Sequence, residues 1–377
     1  MGWDDLTGQA EAIAIMRAAA ADDGMTHSWL ITGPPGSGRS ILAYAFAAAL
    51  IARPGDEAAT ELQVQAQTHP DLGVLSTDRV TITIEEVRQL VASSQFSPSV
   101  GRYRVMVIED ADRMTERTSN VLLKALEEPP PRTVWILCAP SEADLIPTIR
   151  SRVRAVRLRV PAVDEVAELI ARRDGVSLPE ATTAAREAQS HIGMAHRLAT
   201  NEQARERRRR TLELALGIRS VSGAVLAATE LVAVATEDAK SFTEENDAEE
   251  RDKALRSLGI EPGGAVPPGL RSQLKQLDDD QKRRATRSLR DGIDRILVDL
   301  MSLYRDILLL QLGVATEPVN LAIYGQLAAA AAQTTPSRTL ETLDAIATAR
   351  ERIEGNVAPA LALEAMLVSA VRDAAAA

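Results

Sequence analysis

The fold is decided by the stretch Trp29-Leu30-Ile31-Thr32-Gly33-Pro34-Pro35-Gly36-Ser37-Gly38-Arg39-Ser40. A short, mostly apolar run leads directly into a glycine-rich segment, and an alanine-rich helical stretch follows from Ser40 to Ala52. This order is typical of a P-loop, in which backbone N–H groups and a helix N-terminus surround phosphates. The sequence therefore predicts a strand, a helix and a phosphate-binding loop between them, made of Gly33, Pro34, Pro35, Gly36, Ser37, Gly38, Arg39 and Ser40.

One position of this loop departs from the usual pattern. Arg39 stands where a lysine normally reaches the β- and γ-phosphates. Arginine keeps the positive charge, but its guanidinium is planar, forked and longer, so the exchange is not conservative at a tight site. We expect the binding of ATP or ADP with Mg²⁺ to remain possible and hydrolysis to be impaired.

A second motif pairs an apolar run with carboxylates. Val105–Ile108 predicts a buried strand, and Glu109 and Asp110 follow it directly. In P-loop NTPases, acids at such a strand end hold Mg²⁺ and position the attacking water, an arrangement called Walker B. The usual order is aspartate and then glutamate. Here Glu109, with Ser40, is the candidate magnesium ligand and Asp110 occupies the base position, which again predicts impairment.

The rest of the chain predicts an α/β module followed by helices. Thr133–Cys138 is a third buried strand, and strand–helix–strand order with continuous apolar strands indicates a parallel sheet covered on both faces. Beyond Pro161 only helical patterns remain, so we predict domains at 1–160, 161–215 and 216–377. Acidic residues and then Gly and Pro predict a mobile, exposed connection near 236–270. The predicted helices span 119–128, 163–172, 178–190, 194–216, 278–312 and 337–376.

Composition limits the functions that the chain can serve. It has 377 residues, a net charge of −10, 3% aromatic residues and one cysteine, Cys138. Proteins that bind nucleic acid normally carry a basic face, and those that bind single strands stack bases on aromatic rings. Because this chain is acidic and poor in aromatic residues, we expect its own share of any DNA contacts to be small. A single cysteine excludes an internal disulfide and a cysteine-based zinc site. No signal peptide or apolar membrane span is evident, so we expect a cytoplasmic protein.

A longer motif resembles a known family. Asn120-Val-Leu-Leu-Lys124-Ala-Leu-Glu127-Glu128-Pro129-Pro130, a few residues after the Walker B strand, closely resembles the bacterial clamp-loader subunits of the AAA+ class. The resemblance continues through Leu6–Gln9, His69–Asp71 and Ser151-Arg152 and covers residues 1–200. It implies a RecA-like parallel sheet, a small helical lid and an all-α C-terminal collar domain. It also implies that Arg152 is an arginine finger that reaches the ATP of a neighbouring subunit.

Three positions, Arg39, Ala139 and His196, distinguish the branches of this family, since the motor subunit keeps a lysine in the phosphate loop; the missing zinc cysteines are a separate departure. Ala139 stands where the ATP-hydrolysing motor subunit (gamma/tau) has a polar residue that senses the γ-phosphate. His196 stands at the position of the second sensor arginine, with Arg197 one step on. The four cysteines that hold zinc in such subunits are missing between residues 52 and 68, so we predict no zinc.

With these residues altered and Arg152 kept, the sequence resembles the delta-prime branch of the family. We expect a stator that supplies Arg152 to a motor subunit (gamma/tau), with the delta subunit in the same hetero-oligomer. Such a subunit supports ATP-dependent clamp loading on primed DNA for DNA polymerase III, a nucleotidyltransferase holoenzyme, with weak or no ATPase of its own. The alternatives are a motor ATPase and a AAA+ recombination or repair factor.

Overall fold

A computed structural model describes residues 2–3, 6–21, 25–77, 81–257, 271–355 and 357–371, apart from the side chains of 241–257 and 271–287. The chain divides into two compact units, Met1–Thr200 and Asn201–Ala377. The division predicted at residues 160 and 215 is finer and stays a prediction. The helix that begins at Glu202 belongs to the second unit.

The first unit is built on a parallel five-stranded sheet, with strand order β2-β3-β4-β1-β5. Its central strands β1, β3 and β4 are the three that the sequence predicts. The edge strands β2 and β5 were not predicted. The bounds are Ser28–Thr32 for β1, Leu72–Leu75 for β2, Arg104–Ile108 for β3, Thr133–Ala139 for β4 and Arg154–Arg157 for β5.

Alternate residues of the central strands enter two different cores, one on each face of the sheet. Trp29 and Ile31 pack with Phe46 on one face, and the rings of Trp29 and Phe46 meet edge to face at 5.4 Å. Leu30 and Trp135 enter the core of the other face. Strands that are covered on both sides read as continuous apolar runs, which is the pattern that predicted them. The predicted α/β fold class is confirmed.

Nine helices of the described residues belong to the first unit, and six belong to the second. The first set is α1 (Ala10–Ala20), α2 (Arg39–Ile51), α3 (Glu57–Gln65), α4 (Ile84–Ser94), α5 (Glu116–Glu127), α6 (Pro147–Arg150), α7 (Val163–Asp174), α8 (Leu178–Glu187) and α9 (Ile192–Thr200). The second set is α10 (Glu202–Gly217), α11 (Val221–Ser257), α12 (Arg271–Gln311), α13 (Tyr324–Ala332), α14 (Pro336–Glu354) and α15 (Pro359–Ser369). Among the helices in the described ranges, none has the length and apolar character needed to cross a membrane.

Two predicted helices and one predicted connection differ from the structure. The helix predicted over 194–216 is two helices, because Asn201 accepts a hydrogen bond from the N–H of Ala204 at 2.9 Å and starts α10 afresh. The helix predicted over 337–376 is also two, α14 and α15. The connection predicted near 236–270 falls partly in α11, which extends to Ser257. Residues 258–270 lie outside the described residues.

The arginine-rich segment 205–210 lies on α10, within the second unit. Arg207 pairs with Asp238 at 2.6 Å, and Arg209 pairs with Glu206 on its own helix at 2.6 Å. Arg208 is buried and bonds Asp299 at 3.0 Å. The arrangement fits a salt-bridged helix better than a patch that is open to nucleic acid.

Asp71 anchors the segment that leads into β3. Its carboxylate is fully buried and accepts hydrogen bonds from the backbone N–H groups of Ser99, Val100 and Gly101 at 2.6–2.7 Å. Arg104 approaches it at 3.4 Å. Burial opposes ionisation, but the three N–H donors outweigh it and hold the pKa of Asp71 below its usual value. The ionised carboxylate therefore stabilises the folded state.

Replacing Asp71 with asparagine should lower the free energy of unfolding of the first unit by about 2 kcal/mol or more, because a charged acceptor of three hydrogen bonds is lost. The folded-state pKa is depressed, so the contribution is present above the unfolded pKa of about 3.9 and lost as pH falls through the folded pKa. Urea unfolding followed by tryptophan fluorescence measures it, because Trp3, Trp29 and Trp135 all lie in the first unit. A variant with the same loss of stability between pH 5 and pH 3 as the wild type would contradict the assignment.

Candidate functional site

The predicted phosphate loop lies at the carboxyl end of β1. Thr32 is paired in register with Ala139, the last residue of β4, so the loop starts at the edge where parallel strands present ligands. Gly36 and Gly38 have φ values of +78° and +97°, in the left-handed region that glycine adopts without strain. Gly38 directly precedes α2, whose N-terminal N–H groups favour an anion.

Two polar atoms of the loop are buried without a hydrogen-bond partner: Ser37 Oγ and Arg39 Nη1. A buried donor that lacks a partner costs free energy, and a bound ligand is one way in which it can be satisfied. A phosphate group supplies the acceptor oxygens that a guanidinium fork and a hydroxyl require. The two donors of the loop are therefore chemically suited to a phosphate group.

Glu109 lies beside the loop, at the carboxyl end of β3. Its Oε2 accepts a hydrogen bond from Ser40 Oγ at 3.5 Å, so the structure brings the two candidate magnesium ligands together. Its Oε1 accepts a hydrogen bond from the Tyr44 hydroxyl, which in turn accepts one from Gln67 Nε2 at 2.8 Å. Burial and the neighbouring Glu109 raise the pKa of Tyr44, so its hydroxyl keeps its proton. The sequence prediction missed both Tyr44 and Gln67.

Asp110 and Ala139 occupy the positions expected to act on the γ-phosphate. Asp110 forms an ion pair with Arg113 at 3.9 Å across the short 3₁₀ turn that follows β3. Ala139 is fully buried and has no polar side-chain atom. Cys138 before it is buried in the sheet, and that burial raises the pKa of its thiol to about 12. It is a core residue rather than a nucleophile.

The predicted second sensor, His196, is engaged within the lid. Its Nδ1 lies 2.7 Å from Asp174 Oδ2, and Asp174 also pairs with Arg173 at 2.9 Å. Partial burial opposes ionisation of Asp174, but the hydrogen bonds from Arg173 and His196 lower its pKa below the usual value. Arg197, one position on, is half-buried.

His191, a lid residue that the sequence prediction missed, lies against the phosphate loop. A Cβ placed on Gly36 would lie 2.3 Å from Cγ of His191, so the imidazole ring rests against the loop backbone. Nδ1 of His191 accepts a hydrogen bond from the N–H of Met194 at 3.2 Å, which fixes the ring at the start of α9. No sequence pattern predicts the contact between His191 and Gly36, because 155 positions separate the two residues.

Gln9 ends the N-terminal stretch Leu6–Gln9 of the family resemblance, here called the N-terminal box, and it joins the phosphate loop to the segment before the lid. Its Oε1 accepts from the N–H of Arg159 at 3.1 Å, and its Nε2 donates to the carbonyl of Arg159 at 2.8 Å. The same Nε2 reaches the carbonyl of Ser37 at 3.4 Å. The resemblance singled out this box, and the contacts give it a physical role.

Arg152 lies two residues after the end of α6, outside the contiguous motif that forms the phosphate loop. Its Nε donates to Glu127 at 2.6 Å, and its Nη1 donates to the carbonyl of Thr148 at 2.7 Å. One third of its side chain is exposed, as is 45% of that of Glu127. Glu127 belongs to the motif that carries the family resemblance.

Zinc was predicted to be absent, and that stays a prediction. Within the ranges that the structure describes, no group of three or more His, Cys, Asp and Glu side chains is placed to hold a metal ion. Nδ1 of His69, the histidine nearest to the expected module, accepts from the N–H of Asp71 at 3.1 Å.

Comparison with known proteins supports the first unit's assignment. Residues 8–162 match the family model described as DNA polymerase III, delta subunit. Over 155 residues the chain is 35% identical to DNA polymerase III subunit delta' of Pseudomonas aeruginosa, which covers 39% of this chain and 47% of that protein. Over 168 residues it is 29% identical to subunit tau/gamma of Haemophilus influenzae, covering 43% and 24%. The chain thus spans less than half the length of these relatives.

A DNA polymerase III gamma subunit-related protein of Thermotoga maritima has a solved structure that aligns with 96% of this chain and 98% of its own. The sequence identity is 17% and the TM-score 0.46. The assignment depends instead on the family model and on delta' relatives that are 34–35% identical. Residues 8–162 therefore resemble the clamp-loader subunits of DNA polymerase III, and the delta' relatives at 34–35% identity support delta-prime as the branch that they resemble.

Proposed function

We propose that the chain is the stator of a DNA polymerase III clamp loader. It supplies Arg152 to ATP held by a neighbouring motor subunit (gamma/tau), and it assembles with the delta subunit through its helical second unit. In this role it supports ATP-dependent loading of the sliding clamp on primed DNA. The relatives named delta' and tau/gamma support a place in such a complex.

The observation on which the proposal depends is the contrast between Arg152 and the residues around the chain's own phosphate loop. Arg152 is partly exposed, and its ion pair with Glu127 is a surface pair, which contributes little stability. The guanidinium can therefore leave Glu127 for a neighbour's phosphate at small cost. Around the loop, Ala139 offers no polar group, and Asp110 and His196 are paired with other side chains.

The same contrast suggests what the chain's own loop does. Ser37 and Arg39 leave buried donors for a phosphate, so the loop is suited to hold ATP or ADP, and Ser40 and Glu109 would hold Mg²⁺. Bound Mg²⁺ would neutralise phosphate charge. Arg39 would add a fixed cation, and the N-terminus of α2 would orient the phosphates. We infer retention of nucleotide with little or no turnover.

Steady-state kinetics test this division of labour. The purified chain should bind ATP but show no turnover above background, whereas adding it to the motor subunit should raise turnover. Asp110→Asn should leave that increase intact, because Asp110 has no part in a neighbour's site. Turnover by the isolated chain that Asp110→Asn abolishes would favour the motor alternative.

The remaining alternative is a AAA+ recombination or repair factor, which would work as a ring of identical subunits. Analytical ultracentrifugation of the chain with ATP and Mg²⁺ distinguishes the two. We expect no hexamer from the chain alone, and a stable hexamer would contradict the stator proposal.

A further inference from the structure

Both oxygens of the Glu109 carboxylate are engaged by hydroxyl donors from one helix. Ser40 Oγ reaches Oε2 at 3.5 Å, and the Tyr44 hydroxyl donates to Oε1. Residues four apart on a helix share a face, so Ser40 and Tyr44 of α2 converge on the same acid. The Walker B pattern assigns Ser40 and Glu109 a role but gives none to Tyr44.

Gln67 fixes the Tyr44 hydroxyl in place. It lies just past α3 with a φ of +55°, an uncommon conformation for a residue other than glycine. Its N–H bonds the carbonyl of Val64 at 3.0 Å, and its side-chain Nε2 donates to the Tyr44 oxygen at 2.8 Å. The hydroxyl receives one hydrogen bond and gives its own proton to Glu109, so it is held as a donor toward that carboxylate.

A donor at this position changes what Glu109 can do for a metal. Mg²⁺ sites depend on one or two carboxylates together with phosphate oxygens, and the ion keeps several of its waters. Those waters are hydrogen-bond donors, as is the Tyr44 hydroxyl. An oxygen of Glu109 that accepts from Tyr44 is less available to the ion or to its waters.

We propose that Tyr44 is a positioning residue that competes with hydrated Mg²⁺ for Glu109 and thereby makes nucleotide binding less dependent on magnesium. The inference rests on the proposed nucleotide site. It deepens the picture of a loop that holds nucleotide without hydrolysing it, since weak metal engagement disfavours phosphoryl transfer. The competing view is that Tyr44 only ties α2 to the segment after α3.

Calorimetric titration of the full chain with ATP, in excess Mg²⁺ and in excess EDTA, tests the proposal. The quantity measured is the Kd in EDTA divided by the Kd in Mg²⁺. Tyr44→Phe keeps the ring and removes the donor, so this ratio should rise about tenfold, the size expected for one hydrogen bond to a charged acceptor. Gln67→Ala, which releases the hydroxyl, should raise the ratio by less. Tyr103→Phe makes the same chemical change at another site of the first unit and should leave it unchanged.

Glu109→Gln provides the second arm. If Tyr44 acts through this carboxylate, Tyr44→Phe should no longer change the ratio in the Glu109→Gln background. An unchanged or lower ratio in the single variant Tyr44→Phe overturns the proposal, even if the melting temperature falls as a purely structural role requires. If wild type binds no ATP in either condition, the proposed nucleotide site fails and the inference fails with it. If the wild type binds ATP but Tyr44→Phe leaves the ratio of the two Kd values unchanged, only the inference about Tyr44 fails.

Discussion

Arg152→Ala should abolish the increment of ATP turnover that this chain adds to the motor subunit. An arginine finger supplied in trans stabilises the charge of the transition state and is worth about 10³–10⁵ in rate at the site that it enters. The side chain meets surface groups at its present position, so its removal should cost the first unit less than about 1 kcal/mol. The measurement is turnover by the reconstituted complex as the amount of this chain is increased.

Arg150→Ala is the matched control for this experiment. Arg150 ends α6, is exposed, and lies two positions before Arg152. It should retain the full increment, and both variants should bind the motor subunit as tightly as wild type in a pull-down. If Arg152→Ala stimulates turnover and clamp loading as well as Arg150→Ala does, the trans-acting role is wrong.

Gly36→Ala should destabilise the first unit by about 2–5 kcal/mol. A left-handed residue other than glycine costs roughly 1–2 kcal/mol, and inserting a methyl group into a packed site costs about 1–3 kcal/mol. The new Cβ would lie 2.3 Å from Cγ of His191, so the ring must move. ATP affinity should fall as well, because the substitution lies within the phosphate loop.

Combining Gly36→Ala with His191→Ala separates the two causes. His191→Ala removes the ring, so the cost of Gly36→Ala should be at least about 1 kcal/mol smaller in that background, a coupling typical of residues in contact. Gly175 is the control, because its φ is +70° but nothing lies within 4 Å of an added Cβ. Gly175→Ala should cost the same with and without His191. Additive costs for Gly36 and His191 in urea unfolding would show that the lid does not rest on the loop.

The strands that could be predicted are those with both faces covered. β1, β3 and β4 are central and read as continuous apolar runs. β2 and β5 were missed because they are four-residue edge strands. β2 includes Gly73, and in β5 the apolar residues Ala155 and Val156 lie between two arginines, so neither has the length or pattern that identifies a strand.

The candidate site was predictable where it follows one segment of chain and not where it joins distant ones. The phosphate loop, Glu109 and Arg152 each belong to a contiguous motif. Tyr44 could have been suspected from its spacing of four from Ser40, but that it donates to Glu109 depends on how α2 packs against β3. The contact of His191 with Gly36 depends entirely on tertiary structure.

The pairing of Gln9 with Arg159 has a mechanical consequence. A side-chain amide that both donates to and accepts from one backbone residue pairs with it as a neighbouring strand would, so Gln9 ties the N-terminal segment to the stretch between β5 and α7. A displacement of this stretch would break two hydrogen bonds that span 150 positions of sequence, and the same amide would transmit the displacement to the carbonyl of Ser37. Any movement of the lid that displaces Arg159 would therefore be coupled, through Gln9, to the position of Ser37 in the predicted phosphate loop.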